Sequence, residues 1–481
     1  MLFNSLDFVV FFPFVVGLYF LLPDRVRWML LLVASYFFYM YWNPRYAVLI
    51  LLSTTIDYFA AIQMGNAKRL PIRRMWLFVS LAGNLGLLFA FKYFGFFSGN
   101  IDRLLDAFAI PQRVPVFDIL LPVGISFYTF QTLSYTIDVY RGDQQPTRHF
   151  GKFALYVSFF PQLVAGPIER STRLLPQFFV KHSFNAERIR SGLLLMAWGF
   201  FKKLVIADRL AVYVAEVYNG DTEYTGLTIL IATYAFTIQI FCDFSGYSDI
   251  AIGAARVLGY DLMRNFDRPY YSRSIAEHWR RWHISLSTWM RDYIYIPLGG
   301  SRVQVKRLYI NLMITFIISG LWHGANWTFI IWGALHGGYI VVSMMTQDVR
   351  DRVAGTIGFS PKSRIRHVWQ IVFTFHLIVF AFIIFRADNI DHAVSLMMRM
   401  ATGFNLWDPM ILEPLPVPEI VAALIGVFIM ETVHLLQFRM SVSERLFAMP
   451  LLVRWAAYCG LVYTIIALGS FTSEQFIYFQ F

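Results

Sequence analysis

The sequence predicts an all-α protein that crosses a membrane many times. Hydrophobic residues make up 57% of its 481 residues, whereas charged residues make up only 15%. The mean hydropathy of +0.54 lies outside the range of ordinary soluble domains. Apolar runs recur along the chain, and many approach the roughly 20 residues with which a helix crosses hydrocarbon. Because hydrocarbon offers no water to unpaired backbone groups, such runs are expected to be helical.

Twelve apolar segments are candidates for membrane helices. About eleven are expected to cross fully, with re-entrant and interfacial helices between them. The first is expected to be a retained span, since no basic region precedes it and no small-residue cleavage site follows it. The segments are 8–22, 28–43, 46–62, 75–97, 117–140, 191–217, 226–259, 308–322, 325–346, 368–386, 418–437 and 452–471.

Basic residues concentrate in the short loops between these segments, and such loops face the cytoplasm. Counting spans back from the loop 68–74 predicts an N-terminus on the outer side of the membrane. The acidic loops 219–226 and 408–419 contain no Lys or Arg and are predicted to be external. We attribute the net charge of +11 to this orientation, so nucleic-acid binding is not expected. The basic loops are 68–74, 141–152, 170–190, 264–307, 350–366 and 439–445.

Two stretches on the predicted cytoplasmic side are not simple loops. Residues 153–166 are apolar but too short to span, which predicts a re-entrant or interfacial helix. Residues 274–296 have the spacing of one amphipathic helix at the membrane interface. The sequence contains no internal repeat or separable soluble part, so one domain over 1–481 is predicted. The apolar face of the amphipathic helix would carry Trp279, Trp282, Leu286, Trp289 and Tyr293.

Two histidines lie in the apolar stretch 319–338. Because imidazole is costly in hydrocarbon, His323 and His336 are functional candidates. His323 is predicted at the turn of a helical hairpin, between Gly320 and Gly324. A hydrogen-bonded interior histidine is the alternative. In a site that excludes water, a neutral imidazole can accept a proton from a hydroxyl and so favour acyl transfer over hydrolysis.

A second polar stretch, IFCDFSGYSDIAIG at 240–253, buries two carboxylates in an apolar segment. Asp243 and Asp249 are expected to face an interior or a water-filled tunnel and to pair with Arg, Tyr or backbone donors. A structural network between helices and direct contact with substrate both remain open. The nearby Lys202 and Lys203 could snorkel to the interface. The stretch also contains Ser245, Tyr247 and Ser248.

Other chemistries lack support in the sequence. His283 borders the aromatic side of the amphipathic helix, and by itself such a residue is more often packed than functional. No His-x-x-x-His pair or carboxylate cluster accompanies the histidines, and Cys242 and Cys459 are isolated, so no metal site is expected. No Gly-rich phosphate loop or Walker motif occurs, which argues against a nucleotide-driven pump.

Three long motifs resemble the membrane-bound O-acyltransferase family. They are DFSGYSDIAIG at 243–253, RPYYSRSIAEHWRRWHISLSTWMRDYIYIPLGGSR at 268–302 and SGLWHGANWTFIIWGALHG at 319–337. The resemblance is to the bacterial branch that O-acetylates alginate and cellulose and D-alanylates teichoic acid. It extends over nearly the whole chain through MLFNSLDFVVFFPFVVGLYFLLP, LPVGISFYTFQTLSYTIDVYRG, FFPQLVAGPIER and the C-terminal FIYFQF.

The resemblance implies a ring of helices around a central tunnel, with a cytoplasmic entrance for an acyl donor and an outer passage for the acceptor. His323 of the WHG motif would be catalytic. His283 of the RWH motif would be its partner, orienting the donor or stabilising charge. Further candidates for the tunnel or substrate site are Asp243, Ser245, Tyr247, Asp249, Trp322, Asn326, Arg291 and His336.

The resemblance also implies a reaction and partners. Acetyl-CoA would be the donor, with no permanently bound cofactor, and an exopolysaccharide such as alginate or cellulose the final acceptor. The protein would lie in the bacterial inner membrane, its N-terminus periplasmic. It would act with a periplasmic or membrane-anchored, hydrolase-like acyltransferase and a polysaccharide synthesis or export complex. The alternatives are transfer of D-alanyl or longer acyl groups, or a non-catalytic transporter or scaffold; the sequence lacks the inverted repeats typical of transporters.

Overall fold

The computed structural model confirms an all-α fold for the part of the chain it describes. Helices account for the regular structure, and no strand occurs among the described residues. The ring of helices and its tunnel, implied by the resemblance, stay predictions. The described residues are 1–114, 121–164, 166–360, 363–471 and 476–477.

Eight described helices are long and apolar enough to cross a membrane. A further apolar helix, Leu6–Leu21, is shorter. Crossing by the remaining predicted segments stays a prediction, and the start of the segment 117–140 lies outside the described residues. The eight candidates are Pro44–Asn66, Leu70–Ala107, Gly226–Leu258, Val305–His323, Trp327–Met345, Arg364–Arg386, Val417–Leu436 and Leu451–Leu468.

The chain divides into two compact units. The first comprises Met1–Leu193 and Ala251–Met263. The predicted re-entrant stretch forms two short, largely buried helices there, Phe150–Ser158 and Phe160–Leu163, which meet at Phe159. The helices of this unit are α1 (Leu6–Leu21), α2 (Asp24–Met40), α3 (Ala47–Asn66), α4 (Leu70–Leu88), α5 (Phe94–Ala107), α6 (Ile125–Arg141), α7 (Phe150–Ser158), α8 (Phe160–Leu163) and α9 (Ser171–Leu174).

Polar side chains join α3, α4 and α6 inside the first unit. Asp57 is fully buried, and its carboxylate accepts hydrogen bonds from Ser80 Oγ at 2.6 Å and from Asn84 Nδ2 at 2.8 Å. The Ser80 hydroxyl also lies 2.9 Å from Thr136 Oγ1 on α6. Because a buried polar group without a partner is costly, this network fixes how the three helices pack.

The second unit comprises Leu194–Ile250 and Arg264–Phe481. The helix α10 (Ala186–Phe200) enters it from the first unit, and α12 (Gly226–Leu258) runs through both. Its other helices are α11 (Asp208–Asn219), α13 (Ile275–Arg281), α14 (Ile284–Met290), α15 (Val305–His323), α16 (Trp327–Met345), α17 (Gln347–Thr356), α18 (Arg364–Arg386), α19 (Ile390–Thr402), α20 (Val417–Leu436), α21 (Val442–Ala448) and α22 (Leu451–Leu468).

The helices α15 and α16 form a tightly packed hairpin. A Cβ atom at Gly320 would collide with the backbone oxygen of Phe329, and one at Gly333 would collide with that of Phe316. Only glycine therefore permits this approach. After the turn, the Asn326 side chain begins α16 by accepting a hydrogen bond from the Thr328 backbone N–H at 3.1 Å.

Candidate active site

His323 is the last residue of α15, directly before the hairpin turn. Only 3% of it is exposed. Its ring lies against the rings of Trp322, Trp332 and Phe385, with centroid distances of 5.1, 5.0 and 5.5 Å. These side chains come from α15, α16 and α18. A proton acceptor at this position would work behind a wall of aromatic rings that keeps water away.

His283 lies between α13 and α14, where the predicted continuous helix 274–296 is wrong. The backbone of His283 has a φ of 43°, in the left-handed region, so the helix breaks at this residue. The imidazole caps the start of α14, because its Nδ1 accepts a hydrogen bond from the Leu286 backbone N–H at 3.2 Å. With Nδ1 acting as an acceptor, a neutral ring carries its proton on Nε2.

One tryptophan connects the two motif histidines. The Trp322 ring lies 5.8 Å from the ring of His283 and 5.1 Å from that of His323, measured between centroids. Phe244 of α12 covers another side of His283, at 4.6 Å. The two histidines, 40 positions apart in the sequence, therefore line one aromatic interior.

His336 adds a third imidazole to this interior. Its Nδ1 accepts a hydrogen bond from Trp279 Nε1 at 3.3 Å, and its ring centroid lies 4.8 Å from that of Trp332. Trp332 in turn contacts His323. We refer to this arrangement as the histidine–aromatic cluster, which comprises His283, Trp322, His323, Trp332 and His336.

The polar stretch of α12 is bound mainly to lysines. Lys203 Nζ lies 2.7 Å from Asp243 and 2.8 Å from Asp208, and it is buried. Lys202 Nζ lies 2.8 Å from Asp249 and 2.9 Å from Ser245 Oγ. The two lysines thus do not snorkel. These contacts favour the structural alternative for both carboxylates, because each binds a cation from a neighbouring helical segment.

Asp243 also binds the C-terminal segment of the chain. Its Oδ2 accepts a hydrogen bond from the Ile477 backbone N–H at 2.8 Å. Next to it, the Phe476 ring lies 4.6 Å from the ring of Tyr247 and 5.7 Å from that of Phe244. Tyr247 is therefore a neighbour of the C-terminal segment, and Phe244 links that segment to His283.

Two predicted candidates lie apart from the cluster. The Arg291 side chain is largely exposed and pairs with Asp292 at 2.7 Å. Asn326 caps α16 and donates a hydrogen bond to the Asp388 backbone oxygen at 2.7 Å. Arg291 therefore pairs with its sequence neighbour, whereas Asn326 connects the start of α16 to the residues that follow α18.

The sequence reasoning missed several residues that build the cluster. Trp332 precedes His336 by four residues, so helical spacing could have indicated that both lie on one face. Phe385 and Phe244 gave no comparable signal, because they reach the cluster from distant helices. Within the part of the chain that the structure describes, no group of three or more His, Cys, Asp or Glu side chains is placed to hold a metal ion.

Comparison with known proteins assigns the chain to a family. Residues 147–387 match MBOAT, the membrane-bound O-acyltransferase family, and this range contains the whole cluster. The chain belongs to this family. It is therefore an O-acyltransferase, and the eight apolar helices make it a multi-pass membrane protein.

Individual relatives are named for acyl transfer to alginate, peptidoglycan or teichoic acid. The chain is 41% identical to a probable alginate O-acetylase of Azotobacter vinelandii over 409 residues, 85% of this chain and 79% of the relative. It is 35% identical to a peptidoglycan O-acetyltransferase of Helicobacter pylori, covering 78% and 73% of the two chains. A teichoic acid D-alanyltransferase of Bacillus subtilis is 27% identical, covering 58% and 72%.

Proposed function

We propose that this O-acyltransferase moves an acetyl group from cytoplasmic acetyl-CoA for the O-acetylation of an exopolysaccharide such as alginate or cellulose. The observation that carries the proposal is the position of His323, buried in an aromatic interior that also contains His283 and His336. The 41% identity to a probable alginate O-acetylase over 85% of the chain supports an acetyl group and a polysaccharide.

His323 is the general base of the proposed reaction. Its imidazole takes the proton from an attacking hydroxyl while the hydroxyl oxygen bonds to the thioester carbonyl carbon. The carbon–sulfur bond then breaks, and the leaving thiolate receives the proton from His323. Trp322, Trp332 and Phe385 exclude water, which would otherwise capture the acetyl group by hydrolysis.

His283 orients the donor in this proposal. Because its Nδ1 accepts a backbone N–H, its Nε2 is the protonated nitrogen and can only donate. The break between α13 and α14 places that imidazole beside Trp322. Asp243 and Asp249 support this arrangement indirectly, since they bind the lysines that hold α12 in place.

The acetyl group is proposed to leave on the outer side of the bacterial inner membrane. A periplasmic or membrane-anchored, hydrolase-like acyltransferase, working with the polysaccharide synthesis or export complex, would complete the transfer to the sugar. The predicted orientation, with basic loops in the cytoplasm and a periplasmic N-terminus, supports this route. No permanently bound cofactor enters it.

A D-alanyl group is the second candidate. The similarity to a teichoic acid D-alanyltransferase favours it, although identity falls to 27% over 58% of the chain. A competition assay distinguishes the donors: a detergent-purified protein would be offered radiolabelled acetyl-CoA or a D-alanyl thioester. We expect turnover of acetyl-CoA alone.

The central test replaces the proposed base. We expect His323→Ala to stay folded, with a lowered melting temperature because a buried ring is lost. It should lose at least about 100-fold in acetyl transfer, the usual contribution of a general base. The assay measures release of free CoA and transfer of labelled acetyl to a hydroxyl acceptor. The matched control is His376→Ala, since His376 is an exposed histidine of α18 outside the cluster. Wild-type transfer by His323→Ala would contradict the mechanism.

A further inference from the structure

The cluster contains a histidine whose tautomer is determined by a neighbour. Trp279 Nε1–H donates to His336 Nδ1 at 3.3 Å, and an indole nitrogen can only donate. A neutral His336 ring therefore carries its own proton on Nε2. Within the described residues, His336 Nε2 has no hydrogen-bond partner, although only 1% of the residue is exposed.

A second buried donor lies one helical turn away. Trp332 precedes His336 by four residues on α16, and it is 2% exposed. Its Nε1–H likewise has no hydrogen-bond partner in the part of the chain described. The Trp332 ring contacts both histidine rings, with centroids 4.8 Å from His336 and 5.0 Å from His323.

Two buried donors without acceptors indicate a binding site for a ligand. Buried N–H groups are almost always hydrogen-bonded, and those that are not cost folding free energy. Both groups donate, so they suit an oxygen acceptor or an anion and repel a cation. The Trp332 ring also contacts that of the proposed general base, His323, near which a thioester carbonyl oxygen would acquire negative charge during acyl transfer.

We propose that Trp332 Nε1–H and His336 Nε2–H bind the carbonyl oxygen of the acyl donor and stabilise its charge in the transition state. This inference rests on the proposed function. As the hydroxyl oxygen bonds to the carbonyl carbon and loses its proton to His323, the carbonyl π electrons move to the oxygen that the two donors hold. When the carbonyl re-forms, the carbon–sulfur bond breaks, and the thiolate takes the proton from His323.

Trp279 is a positioning residue in this arrangement. It contacts His336 and keeps the proton on the nitrogen that faces away from it, Nε2. Removing its N–H would leave both tautomers of His336 available. The His336 tautomer with its proton on Nε2 would then be only partly populated.

The test removes the two proposed donors one at a time. Trp332→Phe keeps an aromatic ring and deletes the donor, whereas His336→Leu deletes the donor and His336→Gln retains one. For Trp332→Phe and His336→Leu we expect kcat with acetyl-CoA to fall about 100-fold to 1,000-fold, with KM changed less than about threefold. His336→Gln should recover at least tenfold of that loss, and Trp279→Phe should cost about tenfold.

Controls separate this inference from the proposed function. Trp289→Phe changes a buried tryptophan outside the cluster and should keep wild-type kcat. Melting temperature and size-exclusion elution of each variant report folding, and Trp332→Phe is the least disruptive change. If Trp332→Phe and His336→Leu keep wild-type kcat while His323→Ala is inactive, the donor pair is refuted and the base stands. A higher KM with unchanged kcat refutes it too, since the donors would then serve ground-state binding.

Discussion

In the cluster, a single hydrogen bond determines which nitrogen of a neutral imidazole carries the proton. His283 and His336 both use Nδ1 as an acceptor, the first for the Leu286 backbone N–H and the second for the Trp279 indole. Each contact leaves a proton on Nε2 of the neutral ring. Two of the three imidazoles in the cluster therefore present an N–H donor at Nε2. Local hydrogen bonding thus distinguishes them from His323, the proposed proton acceptor.

A replacement at His283 separates its structural and chemical roles. Asparagine tolerates the left-handed backbone and is a good helix N-cap, whereas alanine suits neither requirement. We expect His283→Asn to keep the wild-type melting temperature and lose acetyl transfer at least tenfold. His283→Ala should lose transfer and also about 1 kcal/mol of stability. Thermal unfolding and transfer assays on the two variants measure the difference; full activity of His283→Asn would show that the cap alone matters.

Helical elements in the second unit depend on buried ion pairs as well as on apolar packing. The segment Phe201–Ala207 between α10 and α11 is a π-helical turn, a feature common at functional sites, and carries Lys202 and Lys203. Lys203 contacts Asp208 of α11 and Asp243 of α12 at the same time. Removing one member of such a group leaves an uncompensated charge in a medium that solvates it poorly.

Loss of the Lys203 cation should therefore damage folding more than chemistry. We expect Lys203→Met to lower stability by about 3–5 kcal/mol, because Asp208 and Asp243 would face each other without a cation. Adding Asp243→Asn should restore part of the loss. Thermal unfolding and yield of detergent-extracted protein measure both changes. Lys181→Ala, at an exposed lysine, is the control; an equally stable Lys203→Met variant would mean that the ion pairs contribute nothing.

The sequence predicts helical elements well where apolar length and turn residues decide them. The hairpin of α15 and α16, with its turn after His323, follows from two apolar runs separated by Gly324 and Asn326. The break at His283 escaped prediction because a left-handed backbone at a non-glycine residue depends on contacts made after folding. Partners from distant helices, such as Phe385 and Lys203, escaped for the same reason.

At the scale of the whole molecule, the charge pattern of the loops predicts which face meets the cytoplasm. The loop between α3 and α4 carries Lys68 and Arg69, and Arg73 and Arg74 lie near the start of α4. The loop after α11 carries Asp221 and Glu223 and no basic residue. Orientation follows the Lys and Arg bias of short loops, so the two loops are expected on opposite sides.

Reporter fusions check this orientation directly. A phosphatase that is active only in the periplasm, fused after residue 221, should be active, and the same fusion after residue 70 should be silent. A fluorescent protein that folds only in the cytoplasm should give the opposite pattern and serves as the control. The reverse result for both reporters would place the proposed acetyl-CoA entrance on the wrong side.

The close contact between the two glycines of the hairpin bears on redesign toward bulkier acyl groups. Gly320 and Gly333 hold the backbones of α15 and α16 so near that no side chain fits between them. Since the two arms carry His323 and His336, any substituent there would splay the hairpin and draw the two imidazoles apart. Variant libraries designed to accept larger acyl groups should therefore keep both glycines and vary the aromatic residues around His323 instead.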